Sequence, residues 1–149
     1  MSLETITRSL VEVKDYLDDL LAIEGLDPES NGLIIEGRPE ITKVGLAVNC
    51  SLQAIESADL RKCDLLVTHH AAWHSTDAHL VERKYGWLRE LGINLYVAHD
   101  CLDRASDFGT ADALARAVRV AVQGPLEPDG EYGFGVHGMT VGKFPEFVT

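Results

Sequence analysis

The sequence predicts an α/β fold, made of strand-helix-strand units with a mainly parallel or mixed central sheet flanked by helices. Two short aliphatic runs, Asp64–Thr68 and Ile93–Ala98, have the composition of buried strands. A stretch with helical spacing separates them, and another strand and helix precede the first run. Alternation of strands and helices favours parallel pairing through right-handed crossovers, so we expect both runs in one sheet.

The N-terminal region begins with an amphipathic helix. Apolar residues recur at steps of three and four from Leu3 to Leu20, and Ser2 can cap the first turn. Gly25 marks the end of this region, and turn residues then lead to a short strand at Leu33–Ile35. A second strand is expected at Lys43–Asn49 because its residues are mostly aliphatic.

Two further helices are expected, one on each side of the Asp64–Thr68 strand. The first is capped by Ser51 and runs to about Arg61. Its inward-facing residues are Leu52, Ile55 and Ala58 or Leu60. Residues 71–77 form a loop, and the second helix lies within 79–91, where Gly92 supplies a stop.

The C-terminal part has an Ala-rich helix and then loses its regular pattern. The helix is expected at Ala111–Val118, and a strand starts within Val118–Val122. From Gln123 onward, frequent Gly and Pro residues predict loops with one or two edge strands. We therefore expect one domain over residues 1–149, in which 123–149 form an irregular, Gly-rich C-terminal segment.

Composition places the chain among soluble globular proteins. Hydrophobic residues make up 46% and charged residues 25%, and the net charge of −11 comes without a basic patch, which disfavours nucleic-acid binding. No apolar run is long enough to span a membrane, and the first residues lack a signal-peptide pattern. The three cysteines form no C-x-x-C pair, so we expect a reducing, cytoplasmic location.

Imidazole and carboxylate groups follow both aliphatic runs, at the points where the strands are expected to end. His69 and His70 close the first run, and His99 and Asp103 follow the second. Because ligands of open α/β sheets bind outside the carboxyl ends of the strands, we expect these groups to share a site. They suit Zn, Fe, Mn, Ni or Co, and the choice of metal stays open. Two adjacent His can serve two ions, with Asp103 between them.

Each of these residues also has a simpler explanation. A single His at a strand end is commonly hydrogen-bonded or solvated, and Asp103 can be a helix cap or turn residue. Asp100 can orient an imidazole or be solvated, and Cys101 can be a metal ligand or a small buried apolar group. The remaining histidines lie in loop or helix contexts and are expected to be unrelated to the site: His74, His79 and His137.

Several segments together resemble the NIF-three-like family of dinuclear-metal proteins, many of which carry the name GTP cyclohydrolase I type 2 homolog. The most specific marks are the double His after an aliphatic strand and the His-x-x-x-Asp after the next strand. The resemblance extends from about residue 31 to residue 138, and its segments are Asn31–Leu33 with Gly37, Asp64–His70, Tyr96–His99 with Leu102–Asp103, and Gly109–Ala115.

This resemblance implies a ligand set and an assembly. His69, His70 and Asp103 would be metal ligands, and His99 would lie close to the centre. A complete site would hold two divalent metal ions. The subunits would form a ring-shaped homo-oligomer.

The sequence also departs from the family pattern. The family completes its site with a His and a Glu on one C-terminal element, whereas Glu146 is the one carboxylate after His137. Asp100–Cys101 replaces the usual Thr-Asn, and Ala71 stands where Pro often follows the double His. We therefore expect the chain to be the N-terminal portion of the longer family fold; the alternative is a shortened member of the family with a weakened or open site.

Two functions of different classes are compatible with these residues. The first is a metal-dependent hydrolase of the GTP cyclohydrolase I type 2 kind, in which a metal-activated water attacks a small-molecule substrate. The second is a non-catalytic metal-binding assembly or regulatory module. The sequence offers no base- or phosphate-reading motif, so the substrate stays open.

Overall fold

The structure, a computed structural model, describes residues 5–126, 128–129 and 132–142 of the chain. Contacts between Cα atoms divide the chain into two compact units, residues 1–99 and 100–149. Both units contain helices and strands. No helix within the described ranges is long and apolar enough to cross a lipid bilayer.

The first unit is built on a mixed four-stranded sheet with helices, as the sequence predicts. In chain order its elements are β1 (Arg8–Ser9), α1 (Leu10–Leu21), β2 (Asn31–Ile35), β3 (Glu40–Ile41), β4 (Val44–Asn49), α2 (Leu52–Leu60), β5 (Leu65–His70), α3 (His74–Asp77), α4 (Leu80–Leu91) and β6 (Asn94–Ala98). The strand order is β2-β6-β5-β4. Strands β4, β5 and β6 run parallel, which confirms the expected parallel pairing, whereas β2 pairs antiparallel with β6.

Helix α1 begins later than its apolar spacing predicts. It starts at Leu10, and Ser9 is its cap: the Ser9 hydroxyl accepts from the Glu12 N–H at 3.2 Å, and the Glu12 carboxylate accepts from the Ser9 N–H at 2.8 Å. This reciprocal capping box needs an extended backbone at Ser9, so the helix does not continue N-terminal to Leu10. The residues before it pair as β1 with β3. The predicted cap Ser2 and the start at Leu3 lie outside the described residues.

The hydrophobic core of this unit joins the sheet to α2 and α4. Ile55 and Ala58 of α2 are buried as expected, whereas Leu60, the alternative inward position, is 70% exposed. Each Ile or Leu that is fully buried stabilises the fold by about 1.5–3 kcal/mol. The buried residues of the cluster are Ile35, Cys50, Ile55, Ala58, Cys63, Leu66, Ala71, Leu88, Ile93, Leu95 and Val97.

A buried amide fixes the amino-terminal side of the sheet. Asn94, the first residue of β6, is fully buried, and its side-chain N–H groups donate to the carbonyl oxygens of Arg38 and Asp64 at 2.9 and 2.8 Å. Its side-chain oxygen accepts from the Gly37 N–H at 2.7 Å. One side chain therefore joins the segment before β3, the start of β5 and the start of β6.

Gly37 is held in this junction so closely that no side chain fits. A Cβ atom on Gly37 would overlap the Gly92 carbonyl group, which belongs to the backbone and cannot move aside. We expect Gly37→Ala to lower the free energy of unfolding by about 2–3 kcal/mol, the upper range of overpacking costs. Chemical denaturation measures this loss.

Gly86→Ala is the matched control for this prediction. Gly86 lies within α4, and a Cβ atom there would meet no heavy atom within 4 Å. The substitution should therefore raise stability by about 0.5–1 kcal/mol, because alanine favours a helix interior. Equal effects of the two substitutions would contradict the proposed overlap at Gly37.

The described part of the second unit carries short helices and two antiparallel strand pairs. Its elements are α5 (Asp100–Asp103), α6 (Thr110–Ala117), β7 (Val120–Pro125), β8 (Pro128–Asp129), β9 (Tyr132–Gly133) and β10 (Val136–Thr140). The Ala-rich helix and the strand after it lie where the sequence predicts them. Strand β7 pairs with β10, and β8 pairs with β9. The region from Gln123 onward, which was expected to form loops with one or two edge strands, therefore contains a paired strand, β10. Residues 143–149, with Glu146, lie outside the described residues.

Candidate metal centre

Two histidines close the central strand β5. The strand ends at His70, and both His69 and His70 are half-buried. Successive residues of a continuing strand point to opposite faces, so neighbouring imidazoles can share a site only where the strand ends. His99 directly follows the last residue of the adjacent parallel strand β6. The fold of the first unit therefore delivers three imidazoles to the carboxyl edge of one sheet.

The three imidazoles form a compact group. Ring centroids lie 4.6 Å apart for His69 and His70, 5.0 Å for His69 and His99, and 5.5 Å for His70 and His99. One ring nitrogen from each His lies within 4.8 Å of the other two. Metal–nitrogen bonds are about 2.0–2.1 Å long, so ligand atoms on one ion stand roughly 3.3 Å apart. Small side-chain rotations would bring the three nitrogens onto one ion, and the donor set fits a divalent transition metal.

Hydrogen bonds set the tautomer of two of these histidines. The Nδ1 atom of His69 lies 2.8 Å from the Ala98 carbonyl oxygen, and that of His70 lies 2.7 Å from the side-chain oxygen of Asn49. Both partners accept, so each Nδ1 carries the proton and donates. The lone pair then resides on Nε2, the form that a metal ligand needs.

Asn49 and Trp73 belong to this site, and the sequence analysis missed both. Asn49 is the last residue of β4 and lies opposite His70 in the sheet, so the same strand-end reasoning would have found it. The Trp73 ring lies 5.6 Å from the His70 ring and 5.0 Å from the His99 ring. Trp73 follows β5 in a loop, where no periodic pattern singles it out.

The loop that carries Trp73 is tied to the body of the first unit. The Trp73 indole N–H donates to the Ser30 hydroxyl at 3.1 Å, and the Trp73 backbone N–H donates to the Asp77 carboxylate at 3.1 Å. Asp77 in turn forms an ion pair with Lys84 of α4, which is only 6% exposed. These contacts hold the indole beside the imidazoles.

The electrostatics of Asp77 reflect this pairing. Burial alone would raise the pKa of Asp77, but the hydrogen bond and positive charge of Lys84, with the Trp73 N–H and the Thr76 hydroxyl, lower that pKa overall. Asp77 is therefore ionised at neutral pH, and the ion pair is intact.

The carboxylates predicted from the sequence lie in the second unit. Asp100 and Asp103 bound the short helix α5, and the Asp103 carboxylate accepts from the Thr110 hydroxyl at 2.7 Å. Cys101 between them is fully buried, and burial raises the pKa of its thiol to about 11, which favours its role as a small apolar group. His74, His79 and His137 are exposed residues outside the imidazole group.

Comparison with known proteins gives one family and several named relatives. The family model Duf34/NIF3 (NGG1p interacting factor 3) matches residues 9–148. A Pyrococcus horikoshii protein named GTP cyclohydrolase 1 type 2 homolog is 32% identical over 140 residues, which cover 91% of this chain and 53% of that protein. An Archaeoglobus fulgidus protein of the same name is 34% identical over 128 residues, covering 83% and 51%. The chain thus spans about half the length of the curated relatives it matches.

Several solved structures share the fold of this chain. Reduced HcgD from Methanocaldococcus jannaschii matches with a TM-score of 0.75 at 28% identity, over 97% of this chain and 59% of that one. TTHA1606 from Thermus thermophilus matches with a TM-score of 0.71 at 31% identity, over 80% and 52%. A Bacillus cereus protein related to NIF3 matches in fold, with a TM-score of 0.67 at 17% identity over 83% and 36%.

Proposed function

This chain belongs to the Duf34/NIF3 family, and from that membership we propose that it is a dinuclear metal-dependent hydrolase of the GTP cyclohydrolase I type 2 kind. The observation that carries the proposal is the group of three imidazoles, His69, His70 and His99, at the carboxyl edge of the sheet. Imidazoles in such a group are the ligands that divalent transition metals prefer.

In this proposal the ligands are His69, His70 and Asp103, and the His99 ring lies beside the two histidines. The Ala98 carbonyl and the Asn49 side chain support the two histidines, because they fix both rings with the lone pair on Nε2. By the sequence resemblance, Asp103 would supply the carboxylate that completes the set. Two ions, when bound, supply a water of lowered pKa and polarise an oxygen of the substrate.

Two further residues, Asn49 and Trp73, contact the ring of the proposed ligand His70. Asn49 holds the His70 ring through its hydrogen bond, and the Trp73 indole lies against the rings of His70 and His99. The names of the relatives suggest opening of a purine nucleotide ring as the reaction. A ring-shaped homo-oligomer and a cytoplasmic location complete the proposal.

Turnover tests the hydrolase directly. GTP, other nucleotides and phosphoesters are incubated with the chain and with added Mn, Zn or Fe, and products are separated by chromatography. We expect product only when metal is present, and none from the double variant His69→Ala, His70→Ala. Metal binding without turnover of any of these compounds would favour the non-catalytic assembly or regulatory module instead.

The role of Asp103 has its own test. Asp103→Asn replaces the proposed carboxylate ligand by a neutral amide of nearly the same shape, so we expect the metal content per chain to fall to about half or less. Elemental analysis of the purified protein measures the content. Asp15→Asn, at an exposed position of α1, is the control and should change nothing. An unchanged metal content in Asp103→Asn would remove Asp103 from the ligand set.

A further inference from the structure

A cavity lies next to the imidazole group in the first unit. It has a volume of about 570 Å³, within the range of small-molecule sites in proteins. Segments that line it are the loop before β2, strand β2, the loop after β5 and helix α4. We call it the Trp73 cavity, and its main lining residues are Glu29, Leu33, Ile34, Trp73, Glu82 and Tyr85.

The Trp73 cavity and the candidate metal centre share a wall. Trp73 lines the cavity, and the same indole ring contacts the rings of His70 and His99 at 5.6 and 5.0 Å between centroids. A molecule in the cavity would therefore lie one aromatic ring away from the proposed metal ligands. This distance is short enough for a larger substrate to reach both places.

The aromatic walls of the cavity are held in place before any ligand binds. The Tyr85 hydroxyl donates to the Ala72 carbonyl oxygen at 3.0 Å and accepts from the Ala72 N–H at 3.2 Å. The Trp73 indole is fixed by its hydrogen bond to Ser30. Rigid aromatic faces bind flat rings at a low cost in conformational entropy.

The lining of the Trp73 cavity carries two carboxylates and one exposed imidazole, that of His74. Glu29 and Glu82 are exposed carboxylates of the lining, and no Lys or Arg is among the lining residues that the structure describes. With a net charge of −11 on the whole chain, an anionic group would be repelled here. Carboxylates accept hydrogen bonds, and they do so best from charged or polarised N–H donors.

We propose that the Trp73 cavity binds a planar nitrogen heterocycle that carries amino and ring N–H donors, with any phosphate groups outside the cavity. The ring lies against Trp73, and its donors face Glu29 and Glu82. This inference rests on the proposed function in one respect: it makes the heterocycle the part of the hydrolase substrate that the cavity selects.

Two ligands that share the benzimidazole ring but differ in the charge and hydrogen-bonding of the substituent test the inference by calorimetry. The probes are 2-aminobenzimidazole, which carries the amino and ring N–H donors, and benzimidazole-2-carboxylate, which carries an anion on the same ring. We expect the amino compound to bind at least about 10-fold more tightly, because like charges face the carboxylate at the rim. Equal affinity for the two, or no binding of the amino compound at millimolar concentration, would overturn the proposal.

Variants of the rim locate the binding. Glu29→Gln and Glu82→Gln together keep the shape but remove the charge, so we expect 2-aminobenzimidazole to bind about 10-fold more weakly. Glu90→Gln is the control: Glu90 is an exposed residue of α4, the helix that carries Glu82, and it lies outside the lining of the Trp73 cavity. This substitution should leave the affinity for 2-aminobenzimidazole unchanged. If the double variant binds as tightly as the unchanged chain, the ligand is elsewhere and the proposal fails.

Metal content measured on the same samples separates this inference from the proposed function. Binding that depends on Glu29 and Glu82 in a chain that takes up no metal would support the cavity assignment and overturn the hydrolase. A chain that binds metal through His69 and His70 but discriminates neither probe would overturn the cavity assignment alone.

Discussion

Alanine at both His69 and His70 should lower the affinity of the chain for divalent metal by about 100-fold or more. The two rings supply two of the three imidazoles of the candidate centre, and a single remaining His is a weak ligand. Loss of a residue that merely orients a metal ligand already costs about 10- to 100-fold, so loss of two ligands costs at least the upper end of that range. Titration calorimetry with zinc or manganese measures the affinity.

Two further variants sharpen this result. His79→Ala removes an exposed imidazole outside the group and should leave the affinity unchanged. Asn49→Ala removes the acceptor that orients His70, and we expect an intermediate loss of about 10-fold. Circular dichroism establishes that each variant is folded. Equal metal content in the double variant and the unchanged chain would show that the imidazole group is not the metal site.

Replacing Lys84 by methionine should destabilise the fold by about 3–5 kcal/mol. Lys84 is buried, and its ammonium group pairs with the Asp77 carboxylate. Methionine fills a similar volume but leaves that carboxylate without its cation in a partly buried place, which is the costly way to break a buried ion pair. Denaturant unfolding at neutral pH measures the loss.

Lys62→Met is the matched control, since Lys62 pairs with Asp59 on the surface, where its side chain is 81% exposed. Exposed pairs contribute about 0–1 kcal/mol, so little change is expected. If the two methionine variants are equally stable, the ion pair of Lys84 with Asp77 contributes no more to stability than an exposed pair.

The pH dependence of the Lys84 variant has a definite sign. The pKa of Asp77 in the folded protein lies below its usual value of 3.8, so the stabilising contribution of the pair is present above that value. This contribution is lost as the pH falls through the lowered pKa, because a protonated, neutral Asp77 no longer forms an ion pair with Lys84. The stability difference between the unchanged chain and Lys84→Met should therefore shrink below about pH 4.

The sequence predicts the central strands well because their residues leave little choice. Strands β5 and β6 are continuous aliphatic runs that end in polar groups, and such runs are buried strands in a parallel sheet. The start of α1 was wrong because apolar spacing continues N-terminal to the true cap. A local signal was present: Ser9 and Glu12 form the S-x-x-E pattern of a capping box.

The candidate site was predictable only in part, for a physical reason. Adjacent histidines at a strand end are a local pattern, so His69 and His70 can be found from sequence. Trp73 and Ser30 meet through a contact across 43 residues, and no local rule encodes such a pairing. The orientation of β2 is likewise set by the tertiary packing of its neighbours, so its antiparallel direction could not be inferred from its five residues.

Because β2 runs antiparallel to β6, the imidazole group and the lining of the Trp73 cavity come from different segments of the first unit. Because β2 runs against β6, the loop before it arrives at the edge where the parallel strands finish, and Ser30 meets Trp73 there. The three imidazoles come from the ends of β5 and β6, whereas the loop before β2 and helix α4 line the neighbouring cavity. Substitutions in that loop can therefore change the lining of the cavity while the imidazole group keeps its geometry, because the two are carried by different segments.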